Sequence, residues 1–119
     1  MVSAHDVGEV INPLLHQGQI EGAIIQGYGA ALMERLTLDE VGRPVEPHLG
    51  SYKLPAMPDV PPLDIVLLPP DTAAGIKPIG EGANCGIVAA IANAVAQVTG
   101  VCPRRYPLLA EDVLAYLRA

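Results

Sequence analysis

The longest apolar run of this chain, Gly82 to Pro103, carries Ile87, Ala90, Ile91, Ala94, Val95 and Val98 at i, i+3, i+4, i+7, i+8 and i+11. That spacing predicts a helix. After Glu81 no charge appears for about twenty residues, so the helix is expected to be buried almost all round. Gly100 supplies a C-terminal stop and Pro103 bars continuation. A second helical pattern opens at Asn12-Pro13, where Asn caps and Pro sits where its missing N–H costs nothing. It runs to about Leu36 through Ile20, Ile24, Tyr28, Ala31 and Leu32. Gly18, Gly22, Gly27 and Gly29 fall inside it. Each would weaken an isolated helix by about 1 kcal/mol, so close backbone contact is expected at these positions, with a break near Gln17-Gly18. A last amphipathic helix is predicted from about Ala110 to Leu117, with Glu111 and Asp112 favourably placed at the positive end of its dipole.

Between the helices, Leu36 to Val45 reads as a strand, a turn at Asp39 to Gly42, and a return. Pro47 to Pro62 contains five prolines and is expected to be an extended, irregular loop. Leu63 to Leu68 reads as a strand ended by Pro69-Pro70. The predicted fold is α+β: a short mixed or antiparallel sheet, a Gly-rich N-terminal helix, a buried central helix and a C-terminal amphipathic helix, in one domain over residues 1–119.

Composition changes this picture in one respect. Half of the 119 residues are hydrophobic, yet there is no Phe and no Trp, and Gly and Pro number 12 each. Large aromatics usually anchor a small self-sufficient core, so part of the packing is expected to come from another chain or segment. The formal charge of −6 excludes a nucleic-acid partner, because no basic stripe could neutralise a row of phosphates. A membrane span is not expected either, since Asn84, Asn93, Gln97 and Thr99 interrupt the apolar run. Cys85 and Cys102 are too few for a disulfide scaffold and lack metal-ligand spacing. With no signal peptide visible, reduced thiols and a cytoplasmic location are the expectation.

The candidate chemistry centres on Gly75-Ile76-Lys77-Pro78-Ile79-Gly80-Glu81-Gly82. A single carboxylate between glycines at the mouth of an apolar helix is costly unless something uses it. Glu81 could act there as a general base or acid, or simply cap the helix. Gly80, Gly82 and Gly86 could offer N–H groups to an anion, with Lys77 nearby. Gln19 and Gln26 lie seven apart on one helical face with Ala23 and Ala30, where two amides could bond a flat polar ligand or a neighbouring backbone. Gly27-Tyr28-Gly29 is a weak nucleotide signal, lacking the third glycine. His5, His16 and His48 lack metal-ligand spacing, so no metal ligand is assigned to this chain.

Several of these segments together resemble a known family. Asp6-Val7-Gly8, Ile11-Asn12-Pro13, Gly18-Gln19-Ile20-Glu21-Gly22, Gln26-Gly27, Gly29 and Glu34 look like part of the molybdopterin-binding large subunit of xanthine dehydrogenases and aldehyde oxidases. Ser51-Tyr52-Lys53-Leu54-Pro55 with Asp59-Val60-Pro61 resembles that family's Tyr-Lys-x-Pro and Asp-x-Pro loop. Lys77 to Gly82 resembles its active-site segment, and Tyr106-Pro107-Leu108 with the last helix resembles its ending. Gly82 and Ala110 stand where the family often has Pro and a capping Thr.

The resemblance implies that Glu81 is the catalytic base of a molybdenum hydroxylase, which oxidises an aldehyde or N-heterocycle such as a purine with water as the oxygen source. It implies cofactor contacts from Gln19, Lys77 and Gly80. The cofactor would be molybdenum–molybdopterin, with or without an added cytosine dinucleotide. A 2Fe–2S cluster and FAD would reside on partner chains or domains. The chain would correspond to the C-terminal end of the large subunit and be incomplete alone, with the remainder of that subunit and iron–sulfur and flavin subunits as partners, or self-association through apolar surface. Two readings of another class stand beside this one: a non-catalytic assembly fragment that keeps only the fold, and a free-standing anion-binding domain.

Overall fold

The computed structural model describes residues 1–70, 73 and 75–118. Strand β1 (Val2–His5) is followed by helix α1 (Pro13–Leu32), the short helix α2 (Leu49–Tyr52), a 3-10 turn at Met57–Asp59, strand β2 (Asp64–Leu67), and helices α3 (Ile87–Thr99) and α4 (Ala110–Tyr116). The strands pair in parallel, Val2 opposite Asp64 through His5 opposite Leu67. Parallel neighbours require a crossover, and the chain between them contains α1. The α+β expectation therefore holds, but the mixed or antiparallel sheet is corrected to a parallel pair. The pattern did not reveal β1 because its polar residues, Ser3 and His5, are half-buried while Val2 and Ala4 face out. The hydroxyl of Ser3 bonds the His5 ring at 2.7 Å, which compensates for that inversion.

Helix α1 begins as predicted: the Asn12 side chain accepts from the Leu15 N–H at 3.1 Å, and Pro13 is the first helical residue. It is continuous through Gln17-Gly18, without the expected break, and ends four residues before Leu36. Its buried residues, Ile20, Ala23 and Ile24, meet Ala83 and Ile87 to form the core, with Leu63, Ile65, Leu67, Ile79 and Ile91 packed around them. At the far end of α1 the fully buried Leu108 donates its N–H to the Ala31 carbonyl at 2.7 Å, tying the C-terminal segment to the helix.

The α1 glycines divide into two kinds. A Cβ on Gly27 would lie 2.5 Å from Asn84 Oδ1 and 2.8 Å from Ile87 Cβ, and one on Gly29 would meet the Pro55 ring at 2.9 Å. These two glycines admit α3 and the proline-rich loop to the helix backbone. A Cβ on Gly18 or Gly22 would meet nothing within 4 Å among the described residues. Gly18→Ala is therefore expected to stabilise the chain by about 0.5–1 kcal/mol. Gly27→Ala is expected to destabilise it by about 1–3 kcal/mol through overpacking. Urea midpoints of the two variants check both signs.

Other elements depart from expectation. Helix α3 is shorter than the apolar run and only Ile87 and Ala92 are buried, while Val98 is 77% exposed. A two-stranded sheet and one long neighbour cannot cover a helix on every side, so the all-round burial is corrected to a single buried seam. Gly100 ends it in the left-handed conformation, φ 75°. The Leu36–Val45 hairpin is reduced to a bridge between Leu38 and Pro44 around a turn closed by Asp39. The proline-rich loop carries two helical turns. Helix α4 is capped at Leu109, not Ala110, and Asp112 Oδ2 accepts the Leu109 N–H at 3.0 Å.

Taken whole, the molecule is open. Its radius of gyration is 17.2 Å, where a compact chain of this length would give roughly 13–14 Å. Its accessible surface is 8101 Å², about 2,000 Å² above the area expected for its mass. Leu14, Leu15, Met57 and Val98 are all at least 68% exposed.

Candidate active site

Glu81 lies in a run of turns between β2 and α3, spanning Gly80–Gly86. Gly82 N–H donates to the Ile79 carbonyl at 3.0 Å and Asn84 N–H to the Glu81 carbonyl at 2.9 Å. Each bond closes a tight turn, so the backbone around the carboxylate is held although the segment is not helical. Ala83 is buried in the core two residues on. The Glu81 side chain is exposed and has no hydrogen-bond or ion-pair partner among the described residues. This corrects the expectation of a buried acid at a helix mouth. It also removes the capping alternative, since α3 starts at Ile87 with Gly86 as N-cap and no side-chain cap bond.

Beside this loop runs a cleft of about 400 Å³, lined by Ile11, Asn12, Leu15, His16, Gln19, Ile79 and Gly80. The Gln19 side-chain amide donates to the Gly80 carbonyl at 3.5 Å, joining α1 to the residue immediately before Glu81. Gly80 is in the left-handed region, φ 42°, and among the described residues nothing lies within 4 Å of where a Cβ would stand. Its backbone can thus be approached closely, which a bulkier residue would prevent. The structure brings Gln19 to Gly80, the residue before Glu81, while Glu81 itself does not line the cleft. Gln26 is exposed on α1 and does not line the cleft.

Lys77 stands apart from the cleft. Its ammonium is paired with Asp6 Oδ2, while the other Asp6 oxygen accepts the Gly8 N–H at 3.1 Å. The Lys77 hydrogen bond, then the Gly8 N–H, hold the Asp6 carboxyl below its ordinary value of 3.8. A depressed carboxylate contributes stability that is present above that ordinary value and lost as pH falls through the lowered one. Sequence reasoning missed Asp6 as the partner of Lys77, 71 positions away. Asp-x-Gly is a turn signature that marks a side chain bonding its own backbone, but nothing local names the lysine.

Glycines 8 and 75 meet where these segments cross. Gly8, φ 64°, would drive a Cβ into the Gly75 carbonyl oxygen. Farther off, Tyr52 of the Tyr-Lys-x-Pro loop has its hydroxyl pushed above its ordinary value of 10.0 by desolvation and then by the Glu34 carboxylate beside it. Lys53 adopts φ 65° as the C-cap of α2. His5, His16 and His48 are not gathered, and no group of three His, Cys, Asp or Glu among the described residues is placed to hold a metal ion. No described helix is long and apolar enough to cross a membrane.

Comparison with known proteins identifies the family of the chain. Residues 1–61 match the family model of the molybdopterin cofactor-binding domain. The chain is 39% identical over 112 residues to the xanthine dehydrogenase molybdenum-binding subunit of Escherichia coli O157:H7, covering 91% of this chain and 15% of that protein. It is 35% identical over 119 residues to the aldehyde oxidoreductase molybdenum-binding subunit of E. coli K12, covering 96% of this chain and 16% of that protein. The crystal structure of quinoline 2-oxidoreductase from Pseudomonas putida 86 superposes with a TM-score of 0.83 at 30% identity, over 98% of this chain and 16% of that one. The chain thus spans about one sixth of the length of these relatives, and it belongs to the molybdopterin cofactor-binding domain family.

Proposed function

We propose that this chain forms the end of a molybdenum hydroxylase large subunit and supplies its catalytic base, Glu81. The observation that carries the reading is a carboxylate without a partner among the described residues, on a backbone-locked loop next to a cleft that presents an amide and a glycine backbone. A base must be free to take a proton and fixed in position while it does so. Glu81 has the first property because no cation or N–H among the described residues occupies it, and the second through the turns on either side.

The cleft fits a flat, hydrogen-bonding heterocycle. Ile11, Leu15 and Ile79 give apolar walls, and the Gln19 amide and Gly80 carbonyl give donor and acceptor at the rim. Gln19 and Gly80 would hold a molybdopterin group, with Lys77 securing the loop from which Gly80 projects. When bound, that cofactor accepts the electrons released as the substrate carbon is oxidised. The substrate class would be an aldehyde or an N-heterocycle, with water supplying the oxygen. A cytosine dinucleotide form of the cofactor, and a 2Fe–2S cluster and FAD on partner chains or domains, belong to the same proposal.

The open shape supports the remainder of a large subunit as partner. The excess surface of about 2,000 Å² is as large as a stable protein–protein interface, and Leu14, Leu15 and Met57 are among the exposed apolar side chains. The same exposed residues favour a second reading, an assembly fragment that keeps the fold without chemistry. Glu81→Gln in the assembled enzyme decides between them. Turnover collapses under the first reading and is unchanged under the second.

A further inference from the structure

Glu81 has no side-chain tether among the described residues, so its location is set by the backbone to either side. Downstream, Ala83 is anchored in the core. Upstream, the chain is fastened to the segment that follows β1. Lys77 N–H donates to the Val7 carbonyl at 3.1 Å and Glu9 N–H to the Gly75 carbonyl at 3.0 Å, with Gly8 opposite Ile76. Asp6 closes this junction from both directions. One oxygen holds the Gly8 N–H, shaping the turn on which Gly75 rests, and the other grips the Lys77 ammonium four residues before Glu81.

We infer that Asp6 is a positioning residue for the Glu81 loop, acting through Lys77; this rests on the proposed role of Glu81 as base. The Asp6 and Lys77 side chains are 47% and 37% exposed. A pair so open to solvent adds little to global stability. What it can do is remove freedom from one short segment. The two bonded backbones leave the Lys77 side chain a single fixed root, and its pairing with Asp6 stops the loop from swinging about that root. The Lys77 ammonium is thereby held at Asp6.

The test is amide hydrogen exchange on the whole chain. Asp6→Asn keeps an oxygen for the Gly8 N–H and removes the charge. Lys77→Met removes the cation, and Lys77→Arg keeps it. Asp6→Asn and Lys77→Met are expected to speed exchange at the Glu9, Lys77, Gly82 and Asn84 amides about threefold, the range of an exposed ion pair. Amides of Ile20 to Ile24 should be unmoved, and Lys77→Arg should behave as the unaltered chain.

Unchanged loop amides in both charge-removing variants would overturn the inference. So would equal acceleration in α1, which would mean general loosening. In the assembled enzyme, Asp6→Asn should lower kcat about threefold at constant KM, and a change confined to KM would count against positioning. Glu81→Gln should leave loop exchange unaltered. Exchange therefore reports on the latch and turnover of Glu81→Gln reports on the base, and either can fail alone.

Discussion

Glu81→Gln in the assembled enzyme is expected to lower kcat by roughly 10²–10⁴-fold, the usual contribution of a positioned general base. Molybdenum content and thermal stability should stay where they are. The physical basis is the isolation of the carboxylate. Gln has the same shape and cannot accept the proton, and the side chain it replaces is exposed and makes no bond among the described residues whose loss could disturb the fold. Substitutions at such positions change stability by less than about 0.5 kcal/mol. The turns that fix the loop are built from the Ile79 and Glu81 carbonyls, not from the Glu81 side chain. Turnover, metal per subunit and melting temperature, measured together on one preparation, separate the outcomes. A fall in turnover alone assigns the base. Loss of metal with turnover would make the carboxylate part of the cofactor's support, and unchanged turnover would leave the assembly reading standing.

The second large effect is structural. Ile24→Ala is expected to destabilise the chain by about 2–5 kcal/mol. Ile24 is fully buried, and among the described residues nine hydrophobic side chains are buried, four of them alanines. So lean a core has few large side chains that could move to refill a cavity. Native domains are stable by only about 5–15 kcal/mol, so the loss removes a large share. The cavity would open against Ala83 and Ile87, which hold the downstream end of the Glu81 loop. Urea unfolding gives the stability change, and faster exchange at the Asn84 amide would show that the loop loosens with the core. A loss below about 1 kcal/mol would mean that the core closes around the gap.

Much of the candidate site was legible along the chain because its parts are local. Gly80 and Glu81 are adjacent in one Gly-flanked segment, and Asn12-Pro13 fixes the start of α1 and hence which face carries Gln19. The environment of Glu81 was not legible. A long uncharged run reads as burial, but whether it is buried depends on how many neighbours exist to cover it. Here α1 covers one seam of α3 and leaves Val98 in solvent. The glycines of α1 show the same limit. Their spacing announced close approach at all four, and the fold realises it only at Gly27 and Gly29.

By itself the sequence determined where α1, α3 and α4 lie, the Asn12 cap of α1, the Gly100 stop of α3 and the chemical groups of the loop, since helix periodicity, capping and turn geometry are set within a few residues. Only the tertiary structure decided that β1 exists and pairs in parallel with β2, that Asp6 reaches Lys77, and that Gln19 meets Gly80. Each of those contacts joins residues more than sixty positions apart. The energy that selects them comes from burying Ile20 and Ile24 of α1 against Ala83 and Ile87, and no local pattern encodes which distant partners that burial will bring together.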